Sequence, residues 1–205
     1  MTSKAVDAIL FDLGGVLIEL GPSPVPDAAL RGVDRFTLVD WFKSATAVSF
    51  EKGQIDAREF AAALIEELGI DCDVDRLIDH FTRWPIGLFS GAEVLLPRLR
   101  RDYRLAVLTN TNELHWPRFD TDFKLTRYVD DIFASHRLGM SKPDAGIFEH
   151  VVAELGIAPA RILFVDDNRV NVEAARRQGM QAEQVQGFAE LTRLLIARGI
   201  YVVDD

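Results

Sequence analysis

A single cysteine, Cys72, occurs in 205 residues. It cannot close an internal disulfide, and a chain without disulfides fits a reducing compartment. Apolar runs are short: none approaches the roughly 18 residues that a membrane-spanning helix requires. The opening Met1-Thr2-Ser3-Lys4-Ala5-Val6-Asp7 lacks the apolar core of a secretion signal. Positive charge is scarce, with 23 Lys and Arg against 32 Asp and Glu, for a net charge of -9. Nucleic acid and anionic membrane surfaces reward clustered Lys and Arg, so neither is expected as the main partner. Internal repeats and low-complexity segments are also missing. What remains is an ordinary globular composition, 48% apolar and 27% charged. Its length suits one domain, or one domain carrying an insertion. A cytoplasmic location is expected, and both monomer and homodimer remain open.

The stretch Ala8-Ile9-Leu10-Phe11-Asp12-Leu13-Gly14-Gly15-Val16 organises the rest. An apolar run bounded by turn signals fits a strand buried on both faces, as in a parallel sheet. A carboxylate at its end sits where open α/β sheets bind ligands. The two glycines allow a sharp turn and close backbone approach.

Beyond Gly21-Pro22-Ser23-Pro24-Val25-Pro26, residues from Asp27 to about Phe89 read as helical, with no strand among them. Phe36, Val39 and Phe42 form one helical stripe. Asp56 with Glu59 has the form of a capping box opening a helix that Gly69 stops. A further helix spans Asp73 to Arg83. From Gly91 the pattern alternates. Helices are expected over Ala92–Arg101, from Pro143 to Leu155, from Asn168 or Arg169 to Gln178, and over Phe188–Ala197. Strands are expected over Arg104–Leu108, Asp131–Ser135, Arg161–Val165 and Gln181–Val185, and the tail from Ile200 is an edge strand or a loose end. Such alternation implies an α/β fold with a doubly wound parallel sheet. The expected division is a core of residues 1–20 and 90–205, with a small helical cap, 21–89, inserted after the first strand.

Strands end on Asp12, on Thr109 and on Asp166-Asp167, and in a parallel sheet these ends share one edge. Carboxylates gathered there repel one another unless a hard cation is present, and Mg²⁺ takes carboxylates together with substrate phosphate. The Gly14 carbonyl is a further candidate ligand. Thr109 offers a hydroxyl and an N–H to an anionic oxygen, and Lys142, ahead of Pro143, brings a fixed positive charge. Such a set can hold a phosphoryl group for attack by Asp12.

These residues carry a resemblance. Phe11-Asp12-Leu13-Gly14-Gly15-Val16, Leu108-Thr109-Asn110, Ser141-Lys142-Pro143 and Phe164-Val165-Asp166-Asp167-Asn168 resemble, in order, the four motifs of haloacid dehalogenase-superfamily hydrolases. The flanking residues are most similar to the bacterial α-glucose-1-phosphatase group. The resemblance implies a phosphatase acting on a small phosphorylated metabolite, a sugar phosphate among the candidates. Asp12 would be the nucleophile, and Thr109, Asn110 and Lys142 would bind substrate phosphate. Mg²⁺ would be held by Asp12, Gly14, Asp166 and Asp167, with Asp167 the more direct ligand of the pair. Gly14 departs from the second aspartate that most phosphatases of the superfamily carry there, and Glu19 and His115 are the candidate substitutes as proton carriers. Two alternatives stand beside this reading: a metal-free 2-haloacid dehalogenase, and a catalytically weak binding protein on the same fold. Substrate selectivity is expected from cap residues, with Phe42, Lys43, Arg83 and Trp84 as candidates, while Trp41 and Trp84 are expected to pack within the cap.

Overall fold

The computed structural model describes residues 5–30 and 44–202. Two short strands open the chain, β1 (Ala8–Phe11) and β2 (Ile18–Leu20). Helices α1 (Ala45–Glu51), α2 (Ala57–Leu68) and α3 (Val74–Thr82) precede strand β3 (Pro85–Leu88). The rest alternates: α4 (Ala92–Leu99), β4 (Arg104–Thr109), β5 (Asp131–Ala134), α5 (Ser135–Leu138), α6 (Ala145–Leu155), β6 (Ile162–Asp166), α7 (Arg169–Arg177), β7 (Gln181–Gln184) and α8 (Phe188–Ala197).

The main sheet is parallel throughout, in the order β5-β4-β1-β6-β7. Side chains alternate across it with period two. Ile9, Phe11, Leu105, Val107, Leu163 and Val165 face one side, where Leu95 and Leu96 of α4 and Leu191 and Leu195 of α8 cover them. Ala8, Leu10, Ala106, Leu108, Ile162 and Phe164 face the other, under Ile147, Phe148 and Val151 of α6 and Val172 of α7. With both faces covered, β1, β4 and β6 must be apolar almost throughout, which is why their sequences run without polar interruption. The chain builds outward from β1 through β4 to β5, then returns to β6 and β7 on the other side. Beside β1 the winding reverses, and a crevice opens there at the strands' carboxyl ends.

Strands β2 and β3 pair antiparallel in a second, two-stranded sheet, and the helices between them have a core of their own. Phe50 stacks on Phe60 at 4.2 Å, and Phe81 packs against Phe60 at 5.0 Å. Both halves of the capping box at Asp56 and Glu59 are formed, and Gly69 ends α2 in the left-handed conformation. Core residues anchor these helices. Arg118 Nη1 donates to Pro85 O at 2.6 Å and to Thr82 O at 3.1 Å. Glu113 Oε1 accepts from Ala57 N at 2.8 Å, and Ser135 Oγ lies 2.5 Å from Glu51 O.

Some elements differ from the sequence expectation. Strand β3 lies where no strand was expected: Pro85-Ile86-Gly87-Leu88 has no strand propensity of its own, and pairing with β2 imposes the extended form. Its proline is tolerated because a two-stranded ribbon has only edges. Ser135 does not end β5 but opens α5. Of the two readings of the tail, the described residues 200–202 fit the loose end, since they form no strand. The stripe at Phe36, Val39 and Phe42, with Trp41 and Lys43, lies outside the described residues. Among the described residues no helix is long and apolar enough to cross a membrane.

Candidate active site

Asp12 follows β1 directly, and its N–H donates to Val165 O at 2.8 Å. Phe11 is level with Val107 on one side and Val165 on the other. One step further along this register sets Asp12 beside Leu108 and Asp166, with Thr109 a residue beyond. Lys142 reaches this edge from the loop before α6. Its Nζ lies 2.7 Å from Asp12 Oδ1 and 2.7 Å from Asp166 Oδ2. All three residues are buried. Burial opposes the lysine's charge, but Asp12 and Asp166 outweigh it and hold its pKa above the ordinary lysine value.

Two asparagines fix this arrangement. The side chain of Asn110, a residue expected to bind substrate phosphate, turns to the Lys142 backbone: Oδ1 accepts from Lys142 N at 2.9 Å and Nδ2 donates to Lys142 O at 3.0 Å. Its side-chain amide is committed to placing the lysine. Asn171, absent from the sequence expectation, donates from Nδ2 to both Asp166 oxygens at 3.1 Å, and the Asn168 N–H donates to Asp166 Oδ1 at 2.7 Å. The available signal was a polar residue on the buried side of α7, beside Val172, Ala174 and Ala175.

Ligand atoms of Asp12, Asp166 and Asp167 lie within 4.8 Å of one another. Burial, opposed by Lys142 and reinforced by Asp166, pushes the Asp12 carboxyl up to about 6. Burial and the charges of Asp12 and Asp166 push Asp167 up to about 7. Every hydrogen-bonding direction of Asp166 is met by Lys142, Asn168 or Asn171, whereas no side chain donates to the Asp167 carboxylate among the described residues. Gly15 makes room for that carboxylate. It adopts φ 69°, and a Cβ there would stand 2.6 Å from Asp167 Oδ2, so both conformation and space require glycine. A compact group of carboxylate oxygens fits a hard divalent cation such as Mg²⁺.

Asp12, Lys142, Asp167, Asn168 and Asn171 line one cleft of about 670 Å³ that also takes in Gly14, Thr109 and Asn110. Leu20, Phe81 and Trp84 supply apolar wall, and Glu51 and Lys52 reach it from α1 and its C-cap. Trp84 is buried in the helical insert's core, with Nε1 donating to Gly21 O at 2.9 Å. Arg83 is exposed and pairs with Asp79. The candidate proton carriers part ways. Glu19 is exposed on β2 and does not line the cleft. His115 lines it, but Nε2 lies 2.8 Å from Phe81 O and Nδ1 lies 3.3 Å from Asn112 Nδ2. A carbonyl only accepts, so Nε2 carries the proton and Nδ1 accepts from the amide. Burial pushes His115 down to about 4 and keeps it neutral.

Comparison with known proteins is consistent in direction. A family model described as a haloacid dehalogenase-like hydrolase matches residues 6–179. The chain is 27% identical over 195 residues to D-ribitol-5-phosphate phosphatase of Bacteroides thetaiotaomicron, covering 89% of this chain and 93% of that protein. It is 30% identical over 200 residues to flavin mononucleotide hydrolase 1 of Arabidopsis thaliana, covering 97% and 80%. A HAD-family enzyme of Bacteroides thetaiotaomicron, solved in complex with magnesium and inorganic phosphate, superposes with a TM-score of 0.74 at 25% identity, covering 92% of this chain and 98% of that one.

Proposed function

The chain belongs to the haloacid dehalogenase-like hydrolase family, and from that premise we propose that it is a Mg²⁺-dependent phosphomonoesterase acting on a small phosphorylated metabolite. The observation that carries the reading is the buried Lys142, within 2.7 Å of both Asp12 and Asp166, with Asp167 completing a carboxylate group inside 4.8 Å. The relatives named as phosphatase and hydrolase of D-ribitol 5-phosphate and flavin mononucleotide support the substrate class.

In this proposal Asp12 attacks phosphorus to give an aspartyl-phosphate, which water then hydrolyses. Thr109 presents its hydroxyl and N–H to a phosphoryl oxygen, beside the Asn110 N–H. Lys142 keeps Asp12 ionised, neutralises charge on the phosphoryl oxygens, and is itself held by Asn110 and Asp166. Asp12, Asp167 and the Gly14 carbonyl would hold Mg²⁺, with Asp166 behind them. Bound there, the ion supplies positive charge to the transferring phosphoryl group and offsets the repulsion among the carboxylates. Residues 21–89 serve as the cap that closes the cleft and selects what enters it. The same carboxylate group argues against a metal-free dehalogenase, since three acids within 4.8 Å of one another suit a cation and are awkward without one. The test is turnover of a panel of phosphorylated sugars, nucleotides and a chromogenic phosphate ester, with and without Mg²⁺, beside Asp12→Asn. Mg²⁺-dependent turnover lost in the variant is expected. Halide release from 2-haloacids without metal, and no ester hydrolysis, would overturn it.

A further inference from the structure

The end of helix α1 meets the core through three consecutive residues, Glu51-Lys52-Gly53. The last carbonyls of a helix lack partners within it. One of them, Glu51 O, lies 2.5 Å from Ser135 Oγ. Gly53 adopts φ 65°, and a Cβ there would stand 2.5 Å from His136 O, so only glycine lets the turn approach the start of α5 this closely. Lys52 adds an ion pair, with Nζ 2.9 Å from Asp144 Oδ2, two residues beyond Lys142.

Ser135 is fully buried and does not line the cleft. Strand pairing sets Thr109 level with Ala134, so Ser135 stands one step further along the same edge, beside the loop that follows Thr109. Its Oγ accepts from Thr111 N at 2.9 Å and lies 3.0 Å from Thr111 O. A serine hydroxyl has one proton, and an N–H can only donate, so that proton goes to a carbonyl. Glu51 O, at 2.5 Å, is nearer than Thr111 O. With the turn seated, the hydroxyl joins the helical insert to the Thr111 backbone. With the turn lifted away, Thr111 O is the carbonyl still within reach.

What that loop carries gives this exchange its consequence. Thr109 precedes Thr111 by two residues, and Asn110 between them holds the Lys142 backbone through both ends of its amide. Resting on the phosphatase reading, we propose that Ser135 is a positioning residue. It ties the seating of the Glu51-Lys52-Gly53 turn to the placement of Thr109, Asn110 and, through Asn110, Lys142. Phosphoryl transfer is then fastest with the insert seated. Ser135 itself touches no substrate. Its effect falls on the transition state, where a small misplacement of the groups around phosphorus counts most.

The test is hydrolysis of p-nitrophenyl phosphate with Mg²⁺, and its inhibition by orthovanadate, a five-coordinate mimic of the transferring phosphoryl group. It is run on Ser135→Ala, Gly53→Ala and the double variant, well below their unfolding temperatures. In each single variant kcat is expected to fall ~10- to 100-fold with KM little changed. The vanadate inhibition constant should rise by a similar factor, because the lost interaction belongs to the transition state. Gly53→Ala lifts the turn and Ser135→Ala removes the bridging hydroxyl, so the double variant should be no slower than the slower single one. A lowered melting temperature with unchanged kcat and vanadate affinity would make the contact purely structural and overturn the proposal. Effects that multiply in the double variant would also overturn it, since the two contacts would then act separately. Gly53 is exposed, and its variant decides the matter if Ser135→Ala does not fold. No turnover of any ester by the wild type would overturn the phosphatase reading and this proposal with it.

Discussion

Lys142 Nζ and Asp12 Oδ1 lie 2.7 Å apart in a site where the lysine side chain is 1% exposed and the aspartate 12%. A pair so buried is held by its neighbours: Asn110 grips the lysine's backbone, and Asp166 shares its ammonium. Replacing Lys142 leaves two carboxylates buried without their cation. Breaking a buried pair on one side costs about 3–5 kcal/mol. Lys142→Met is therefore expected to lower unfolding stability by about that amount, read from urea denaturation at neutral pH. It should also reduce turnover by at least ~10²-fold. A variant as stable and as active as the wild type would show that the pair does not organise the site.

The carboxylates give a pH dependence of definite sign. Asp12 and Asp167, raised to about 6 and about 7, hold protons in the folded protein that the unfolded chain releases near pH 4. Without metal, stability contributed by these groups is greatest at the acid end and falls as pH rises through roughly 4 to 7. Mg²⁺ should raise the melting temperature at pH 7.5, and the gain should shrink below pH 6, where protons compete for the same oxygens. Asp167→Asn should raise the metal-free melting temperature and abolish the Mg²⁺ gain. Thermal denaturation with and without Mg²⁺ across pH measures both effects, and an undiminished gain in Asp167→Asn would remove that residue from the ligand set.

Much of this was legible in the sequence because strand ends announce themselves. Ala8–Phe11, Arg104–Leu108 and Arg161–Val165 are apolar runs that each give way to Asp or Thr, and parallel pairing carries those ends to one edge. Asn110 and Asn171 were not legible in the same way. Their work is to hold another residue, and nothing in a sequence distinguishes an amide that touches substrate from one that positions a lysine. Strand β3 was hidden for a different reason: a Pro-Ile-Gly-Leu segment is extended only because β2 lies beside it.

His115 carries the opposite pH signature. Its folded value near 4 lies below the unfolded value near 6.5, so the unfolded chain takes up a proton first as pH falls. The stability linked to this residue is fully present above about pH 6.5 and is lost progressively toward pH 4, about 2 kcal/mol of it between pH 7 and pH 5. His115→Gln should remove that share of the slope in denaturant titrations at the two pH values. Turnover should change only a few-fold, because the ring holds Phe81 O and Asn112 and carries no proton for the reaction. A collapse of kcat with a shifted pH profile would restore His115 as a proton carrier.

Asn171 makes its contribution through Asp166. Asn171→Ala removes the side-chain donor shared by both carboxylate oxygens, and leaving a buried acceptor short of a partner costs about 1–3 kcal/mol. Turnover should fall with the substrate KM little changed, and the Mg²⁺ concentration needed for half activity should rise, as outer partners of metal-binding groups typically influence affinity ~10- to 100-fold. Kinetics across a Mg²⁺ titration measures this, and an unaltered Mg²⁺ requirement would leave Asn171 a purely structural residue.

The central claim is that Asp12 accepts the phosphoryl group. Acid quench during turnover of acetyl phosphate with Mg²⁺, followed by mass spectrometry of the intact chain and its peptides, tests it most directly. The expected result is a chain heavier by one phosphoryl group, with the label on the peptide carrying Asp12 and no label in Asp12→Asn. Continued turnover with the phosphoryl group found on another residue, or turnover persisting in Asp12→Asn, would contradict it.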